Sequence, residues 1–318
     1  MKSIIQTILA IIILSACSAG LSLKNSSSLV QVNAPAGNFL GEGEEDFYVF
    51  KGIPYAQPPV GDLRWKAPKN LLATNEVIDA TKFKSECIQP GREGLIPNRN
   101  VSVGSEDCLY LNIYIPKNQT EFNKNQFPVM FWIHGGSNIW GSGDFYDFSK
   151  LATTQQVIVI TINYRLGLFG WFSSKHLRNT ASGLDKSSNF GQLDLIKGLE
   201  WVQQNISAFG GDKNNITIFG ESAGGHNVLT LLTSPLSDGL FHKAISQSGY
   251  VSSYTQKFAE EESELSSKSI FEEDIKFLPN DDEVASYLRS LTAEEVYQTY
   301  IETAKKNVFP ITPITIKD

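Results

Sequence analysis

The 318 residues contain no run of lysine and arginine, and acidic side chains outnumber basic ones 34 to 27. With a net charge of −7 and no basic stripe, a nucleic-acid partner is not expected. Histidine is scarce: His134, His176, His226 and His242 are the full set. None sits in an H-x-x-x-H pair or a Cys/His cluster, so neither a metal site nor a cofactor is expected. Cysteine occurs three times, at positions 17, 87 and 108. Internal repeats and low-complexity tracts are missing. The apolar stretch at 4–14 is too short to span a bilayer comfortably.

What is present is ample material for a large core: 41% hydrophobic residues, with 19 Phe, 11 Tyr and 5 Trp. The N-terminus reads as a targeting segment. Lys2 supplies positive charge, 4–14 the apolar stretch, and Leu14-Ser15-Ala16-Cys17 resembles the lipobox of bacterial lipoproteins. The expectation is a lipoprotein signal peptide over 1–16, a lipidated Cys17 as membrane anchor, and a flexible tether over 17–28. Ser18, where inner-membrane lipoproteins carry Asp, points to the outer membrane. An ordinary secretory signal, with a periplasmic or secreted product, is the alternative. Assigning Cys17 to lipid leaves Cys87 and Cys108, an even pair in an exported chain. Either they bridge, closing a loop with 20 residues between them and contributing about 3 kcal/mol, or they remain two buried thiols.

From residue 29 the chain reads as one α/β domain extending to 318. Residues 29–50 alternate short β-prone pieces with Gly37, Gly41 and Gly43, a pattern for a small antiparallel meander. The prolines within 50–65 predict a packed irregular loop. Strands are expected at 110–115, 128–133, 157–163, 216–219 and 243–247. An amphipathic helix is expected over 192–209, with Leu195, Leu199, Val202 and Ile206 on one face. Strand and helix in alternation predict a largely parallel central sheet. Beyond Tyr250, an acidic stretch at 258–274 and a helical pattern at 281–306 look like helical material laid over the sheet.

Residues 216–225 read I-T-I-F-G-E-S-A-G-G. A buried strand, a G-x-S-x-G turn and a helix-compatible run describe a serine raised at the tip of a sharp strand-to-helix turn. Side chains two positions either side of the serine would collide, and Gly220 and Gly224 remove them. The helix that follows turns its unpaired N–H groups toward the serine. Residues 131–137, F-W-I-H-G-G-S, place a second Gly-rich turn after a strand, a way to aim main-chain N–H groups at an oxygen that becomes negative during acyl transfer.

These stretches, with F-K-G-I-P-Y-A-Q-P-P-V-G-D-L-R-W, S-E-D-C-L-Y-L-N-I-Y, N-Y-R-L-G, A-F-G-G-D and G-L-F-H-K-A-I-S-Q-S-G, resemble the type-B carboxylesterase and cholinesterase family of the α/β-hydrolase fold. The resemblance implies Ser222 as nucleophile, with the N–H groups of Gly136, Ser137 and Ala223 as oxyanion hole. Ser137 stands where the family usually has a third glycine. Glu221 matches an acidic residue near the active site and Ser248 a serine behind it. Cys87 and Cys108 match a family disulfide, and Arg64 with Glu106 and Arg165 with Asp194 match buried structural ion pairs. His226 and Asn227 replace small residues. The 87–108 loop lacks the tryptophan that holds choline in cholinesterases, so a choline ester is disfavoured and neutral carboxylic esters are the expected substrates.

A serine hydroxyl needs a base to take its proton. In this fold the order is nucleophile, acid, histidine, and 96 residues follow Ser222. The resemblance implies that both partners lie further on. Of the histidines, His226 follows the serine by one helical turn, on a helix that the elbow points Ser222 away from, His242 reads as structural, His134 as supporting the oxyanion turn, and His176 as solvated. The expectation is therefore a C-terminally truncated α/β-hydrolase, the nucleophile half of an esterase, with an exposed sheet edge and poor solubility. The alternatives are a non-catalytic tethered or adhesion-type module, and a half-enzyme that takes its acid and histidine from a complementing C-terminal chain.

Overall fold

The structure, a computed structural model, describes residues 28–72, 74, 76–93, 96–117 and 126–304. The leader at 1–16, Cys17, the tether through residue 27 and the segment after 304 lie outside the described residues.

Strands β1 (Ser28–Ala34), β2 (Gly37–Gly43) and β3 (Phe47–Pro54) form the expected antiparallel meander, and β4 (Val77–Asp79) pairs parallel to β2. Strands β5 (Gln89–Glu93) and β6 (Ile96–Val103) make a separate hairpin. Strands β7 (Tyr110–Pro116) and β8 (Phe127–Ile133) follow, then helix α1 (Ser149–Gln155), strand β9 (Ile158–Ile162) and the short helices α2 (Gly167–Gly170) and α3 (Lys175–Asn179). Helix α4 (Phe190–Asn205), strand β10 (Gly211–Glu221), helix α5 (Ala223–Thr233) and strand β11 (Lys243–Gln247) carry the chain to its site. Helices α6 (Ser267–Ile275), α7 (Asp281–Ser290) and α8 (Ala293–Ala304) close the described part. The sheet order is β1-β2-β3-β7-β9-β8-β10-β11, with the last four strands parallel and the rest of that path antiparallel.

Period-two alternation explains how one sheet serves two cores. Phe50, Ile113, Phe131, Ile160 and Ile218 point to the larger core, which also holds Leu199 of α4 and Val228 of α5. Their neighbours Val49, Tyr114, Trp132, Val159 and Phe219 point to the smaller core under Ala152 of α1. Buried on both faces, β9 is apolar but for Thr161, whose hydroxyl accepts from Asn112 Nδ2 at 2.9 Å. Helix α4 is more enclosed than an amphipathic pattern implies, with polar Gln192, Asp194 and Asn205 buried beside its leucines. Asp194 explains why: it accepts from Arg165 Nε at 2.8 Å and Nη2 at 2.7 Å, and from the Arg165 N–H at 3.0 Å. This fork fastens α4 to the loop leaving β9.

Three expectations change. Residues 50–54 are strand, because Pro54 lies opposite Tyr110 at a position whose N–H would face away from β7: the Tyr110 carbonyl accepts from Asn163 N at 2.9 Å, and the bond to the β7 side comes from Tyr55 N to Leu109 O at 3.2 Å. The helical pattern at 281–306 divides at Leu291-Thr292: Thr292 Oγ1 accepts from Glu295 N at 3.2 Å, and the Glu295 carboxylate accepts from Thr292 N at 2.7 Å, a capping box that starts α8. The helices after residue 258 pack on α3, on the turn at Gly61–Leu63 and on β6 rather than on the sheet. Arg64 holds this arrangement. Its Nε and Nη2 each reach Glu106 at 2.6 Å, while Nη1 donates to the carbonyls of Leu288 at 3.3 Å and Leu291 at 2.6 Å at the end of α7. Among the described residues no helix is long and apolar enough to cross a membrane.

Replacing Arg165 with Met leaves the fully buried Asp194 carboxylate unpaired, and we expect a loss of about 3–5 kcal/mol in urea unfolding. The double variant Arg165→Met/Asp194→Leu should recover a large part of it. A double variant no more stable than the single one would contradict this account.

Candidate active site

Parallel neighbours end side by side. Strand β8 pairs with β10 from Val129↔Ile216 to Ile133↔Gly220, so the turns leaving both strands meet at one end of the sheet. In open α/β sheets this carboxyl end is where ligands bind. Ser222 lies between β10 and α5 with φ 55° and ψ −119°, a conformation an ordinary residue rarely adopts. It persists because its neighbours allow nothing else. Ser222 N donates to Gln247 O of β11 at 2.8 Å, and His226 N donates to Ser222 O at 2.9 Å. A Cβ on Gly220 would lie 2.5 Å from the Gly224 carbonyl carbon, and one on Gly224 would lie 2.0 Å from Ile133 O. The turn is thus as tight as the G-x-S-x-G pattern predicts.

The second turn lies against the first. Gly136 has φ 101°, and a Cβ there would meet Trp140 O at 1.9 Å. Ser137 and Asn138 follow at φ 57° each, two left-handed residues in succession. Ile139 N and Trp140 N both donate to Gly136 O, at 2.9 and 3.1 Å, closing the turn. Among the described residues the N–H groups of Gly136 and Ser137 have no protein acceptor. Ala223 is the first residue of α5, where a helical amide has none within its helix. Gly136, Ser137, Trp140, Phe145, Tyr146 and Ser222 line a cleft of about 230 Å³.

Glu221 is exposed at the cleft rim; burial, with the Glu221 charge second to it, pushes the Tyr146 hydroxyl pKa up. Ser248 is exposed just past β11 at φ 53° and does not line the cleft. Cys87 and Cys108 are joined in a disulfide 21 positions apart in sequence. That loop carries Arg92, whose guanidinium lies 3.9 Å from the Phe145 ring centre and 5.8 Å from that of Trp140. The aromatic wall of the cleft was not foreseen in the sequence. Its signal was the spacing of Trp140, Phe145 and Tyr146 just beyond the Gly-rich turn.

Each histidine has its own surroundings. His134 is buried, stacks on Tyr164 and donates from Nδ1 to Gly135 O at 2.8 Å. Its Nε2 is therefore an unprotonated acceptor, and it has no partner. Burial lowers its pKa to about 4. His226 is buried on α5, stacks on Tyr250 and donates from Nδ1 to the Tyr250 carbonyl. His242 Nδ1 accepts from Ile216 N at 3.2 Å, the structural role expected of it. His176 departs from expectation: it stands on α3, half-buried, with Nδ1 2.6 Å from Asp281 Oδ1, because α7 docks there. Asn179 and His176 hold the Asp281 pKa below the usual carboxylate range. Among the described residues no histidine hydrogen-bonds the Ser222 hydroxyl, and no three His, Cys, Asp or Glu side chains are grouped as a metal would need.

A mixed sheet with a strained serine where β10 turns into α5, facing a second Gly-rich turn after β8, defines an α/β-hydrolase. The profile of the carboxylesterase family matches residues 28–318, and the chain belongs to that family. It is 44% identical over 230 residues to the para-nitrobenzyl esterase of Bacillus subtilis (strain 168), covering 72% of this chain and 45% of that protein. It is 42% identical over 257 residues to carboxylesterase 1E of Rattus norvegicus, covering 76% and 43%. Among solved structures, a thermophilic PNB esterase superposes with a TM-score of 0.76 at 36% identity, over 91% of this chain and 57% of the other. The carboxylesterase of Geobacillus stearothermophilus at pH 6.2 superposes with a TM-score of 0.74 at 36% identity, over 90% and 55%. The chain thus spans about half the length of the relatives it matches.

His134 sets a pH dependence. Unfolded, its imidazole takes a proton below about 6.5; folded, only near 4. Within that window the unfolded chain binds more protons, so stability falls as pH falls. Between pH 7 and 5, wild type should lose roughly 2 kcal/mol more than His134→Phe. Equal losses in urea titrations at the two pH values would refute it.

Proposed function

We propose that this protein is a serine hydrolase of carboxylic esters, acting through an acyl-enzyme on Ser222. The observation that carries the reading is the left-handed Ser222 at the strand-to-helix turn, opposite two amides without acceptors. The Ser222 oxygen adds to the ester carbonyl. The oxygen that becomes negative is held by the N–H groups of Gly136, Ser137 and Ala223. The alcohol then leaves with a proton, and water releases the acid. Glu221 stands at the rim and Ser248 behind the turn. A cleft of about 230 Å³ with an aromatic wall suits a small neutral ester. A choline ester is disfavoured, because Arg92 already lies over the Phe145 face and repels a second cation.

A second reading is a half-enzyme that takes the base for the Ser222 proton, with its acid, from a complementing chain. The outer edge of β11 favours this. Among the described residues it has no partner strand, with Ile245 45%, Tyr250 47% and Val251 82% exposed on or just beyond it. We further propose export and anchoring through lipid on Cys17, a reading supported by Leu14-Ser15-Ala16-Cys17 and by the Cys87–Cys108 disulfide, which suits an oxidising compartment.

Fluorophosphonate should label the purified chain at Ser222, and Ser222→Ala should abolish labelling. Wild type that never labels, alone or mixed with the C-terminal half of a relative, would sink the esterase reading. Labelling and p-nitrophenyl butyrate turnover that appear only on mixing would assign the base to the second chain. Turnover by this chain alone would place the base within it. Palmitate incorporation in a bacterial host should vanish in Cys17→Ala; incorporation that persists would remove the lipid anchor.

A further inference from the structure

We propose that Asn138 and Asn227 form an amide lock that positions the oxyanion turn over the nucleophile helix. The inference rests on the reading of Gly136 and Ser137 as oxyanion donors. Asn227 Nδ2 donates to Asn138 Oδ1 at 2.8 Å, and Asn138 Nδ2 faces Asn227 Oδ1 at 3.4 Å. Both side chains are buried, at 3% and 1% exposure. One partner follows Ser137 directly; the other lies five positions after Ser222 on α5. The pair therefore links the two halves of the site, side chain to side chain, away from solvent.

Both ends are anchored. The Asn138 carbonyl accepts from Gly167 N at 2.6 Å, and the Asn227 carbonyl accepts from Gln192 Nε2 of α4 at 3.3 Å. Tyr164 OH donates to the His134 carbonyl at 2.6 Å and lies 3.4 Å from Asn138 Oδ1. Asn138 also suits its place by conformation, since asparagine tolerates the left-handed region better than most residues with a Cβ. Ser137 occupies a position where the family usually has glycine. Its backbone is strained, and Asn138 beside it supplies the contact that holds that strain in place. Neither asparagine touches the reacting atoms; both are positioning residues. Their buried amides have few other partners, so cutting one strands the other.

The test uses Asn138→Gly, which keeps the left-handed backbone accessible, together with Asn227→Ala and the double variant, all in the full chain. Amide hydrogen exchange is followed at Ile139, Trp140 and Gly167, whose hydrogen bonds close the turn. Each single variant should raise these rates about tenfold, with the double no faster than the singles and the amides of β8 and β10 unchanged. Fluorophosphonate labelling adds a functional readout. The maximal labelling rate should fall about tenfold with the half-saturating concentration unchanged, less than the ~10²-fold of removing a donor outright. Unchanged exchange, or exchange raised equally throughout the strands, overturns the lock. So does a loosened turn with unaltered labelling, or a loss seen only in half-saturation. If wild type does not label even when mixed with the C-terminal half of a relative, the esterase reading fails by itself, and the exchange rates alone decide whether the asparagines hold the turn.

Discussion

The close approach of two main chains governs this molecule. At the top of the sheet, α5 begins so near the end of β8 that a single added carbon at Gly224 would lie 2.0 Å from the Ile133 carbonyl. Nothing else in the site works without that contact. It forces the serine into a backbone conformation that costs on the order of 1–3 kcal/mol, and it sets the turn after β8 beside the turn after β10. The interior of a well-packed sheet supplies the rigidity to hold such strain. Ile133, Ile160 and Ile218 on one face and Trp132, Val159 and Phe219 on the other are all buried.

Polar ties then fix what packing leaves free. The Arg165–Asp194 fork joins α4 to the loop after β9, and Arg64 bridges Glu106 to the end of α7. Buried pairs of this kind add little net stability over an apolar pair of equal shape, but they punish misplacement severely. Here they join segments far apart in sequence. The disulfide acts on the same scale, carrying the hairpin that brings Arg92 against the aromatic wall of the cleft. Framework and cleft are thus continuous, with no separate lining laid over a scaffold.

The parts of the fold that follow from local chemistry were legible in the sequence. G-x-S-x-G has one good solution once a strand precedes it, and the structure adopts it at Ser222. Apolar runs marked β7, β8 and β9 to within a residue or two, and the short K-A-I-S-Q piece marked β11. What escaped depended on distant neighbours. Pro54 reads as a loop residue until the carbonyl of its partner Tyr110 is seen to accept from Asn163 N, leaving β7 with no need of a Pro54 N–H. His176 reads as solvated until α7 brings Asp281 to it. The helices after residue 258 were visible as helices, while the surface they cover was not, because nothing in a local pattern says which side of the protein a helix will find. Asn227 stood out as a departure from the family, yet its partner 89 positions away became visible only in three dimensions.

The hydrogen bond from Ser222 N to Gln247 O runs between the serine and β11, the last strand in the sheet order among the described residues. Gln247 pairs with Glu221, the residue just before that serine. Margin and centre are thereby a single stiff unit, with no slack of its own between them. Whatever bends β11 tilts the Ser222 hydroxyl too, because the link runs through main-chain atoms that no side-chain substitution removes.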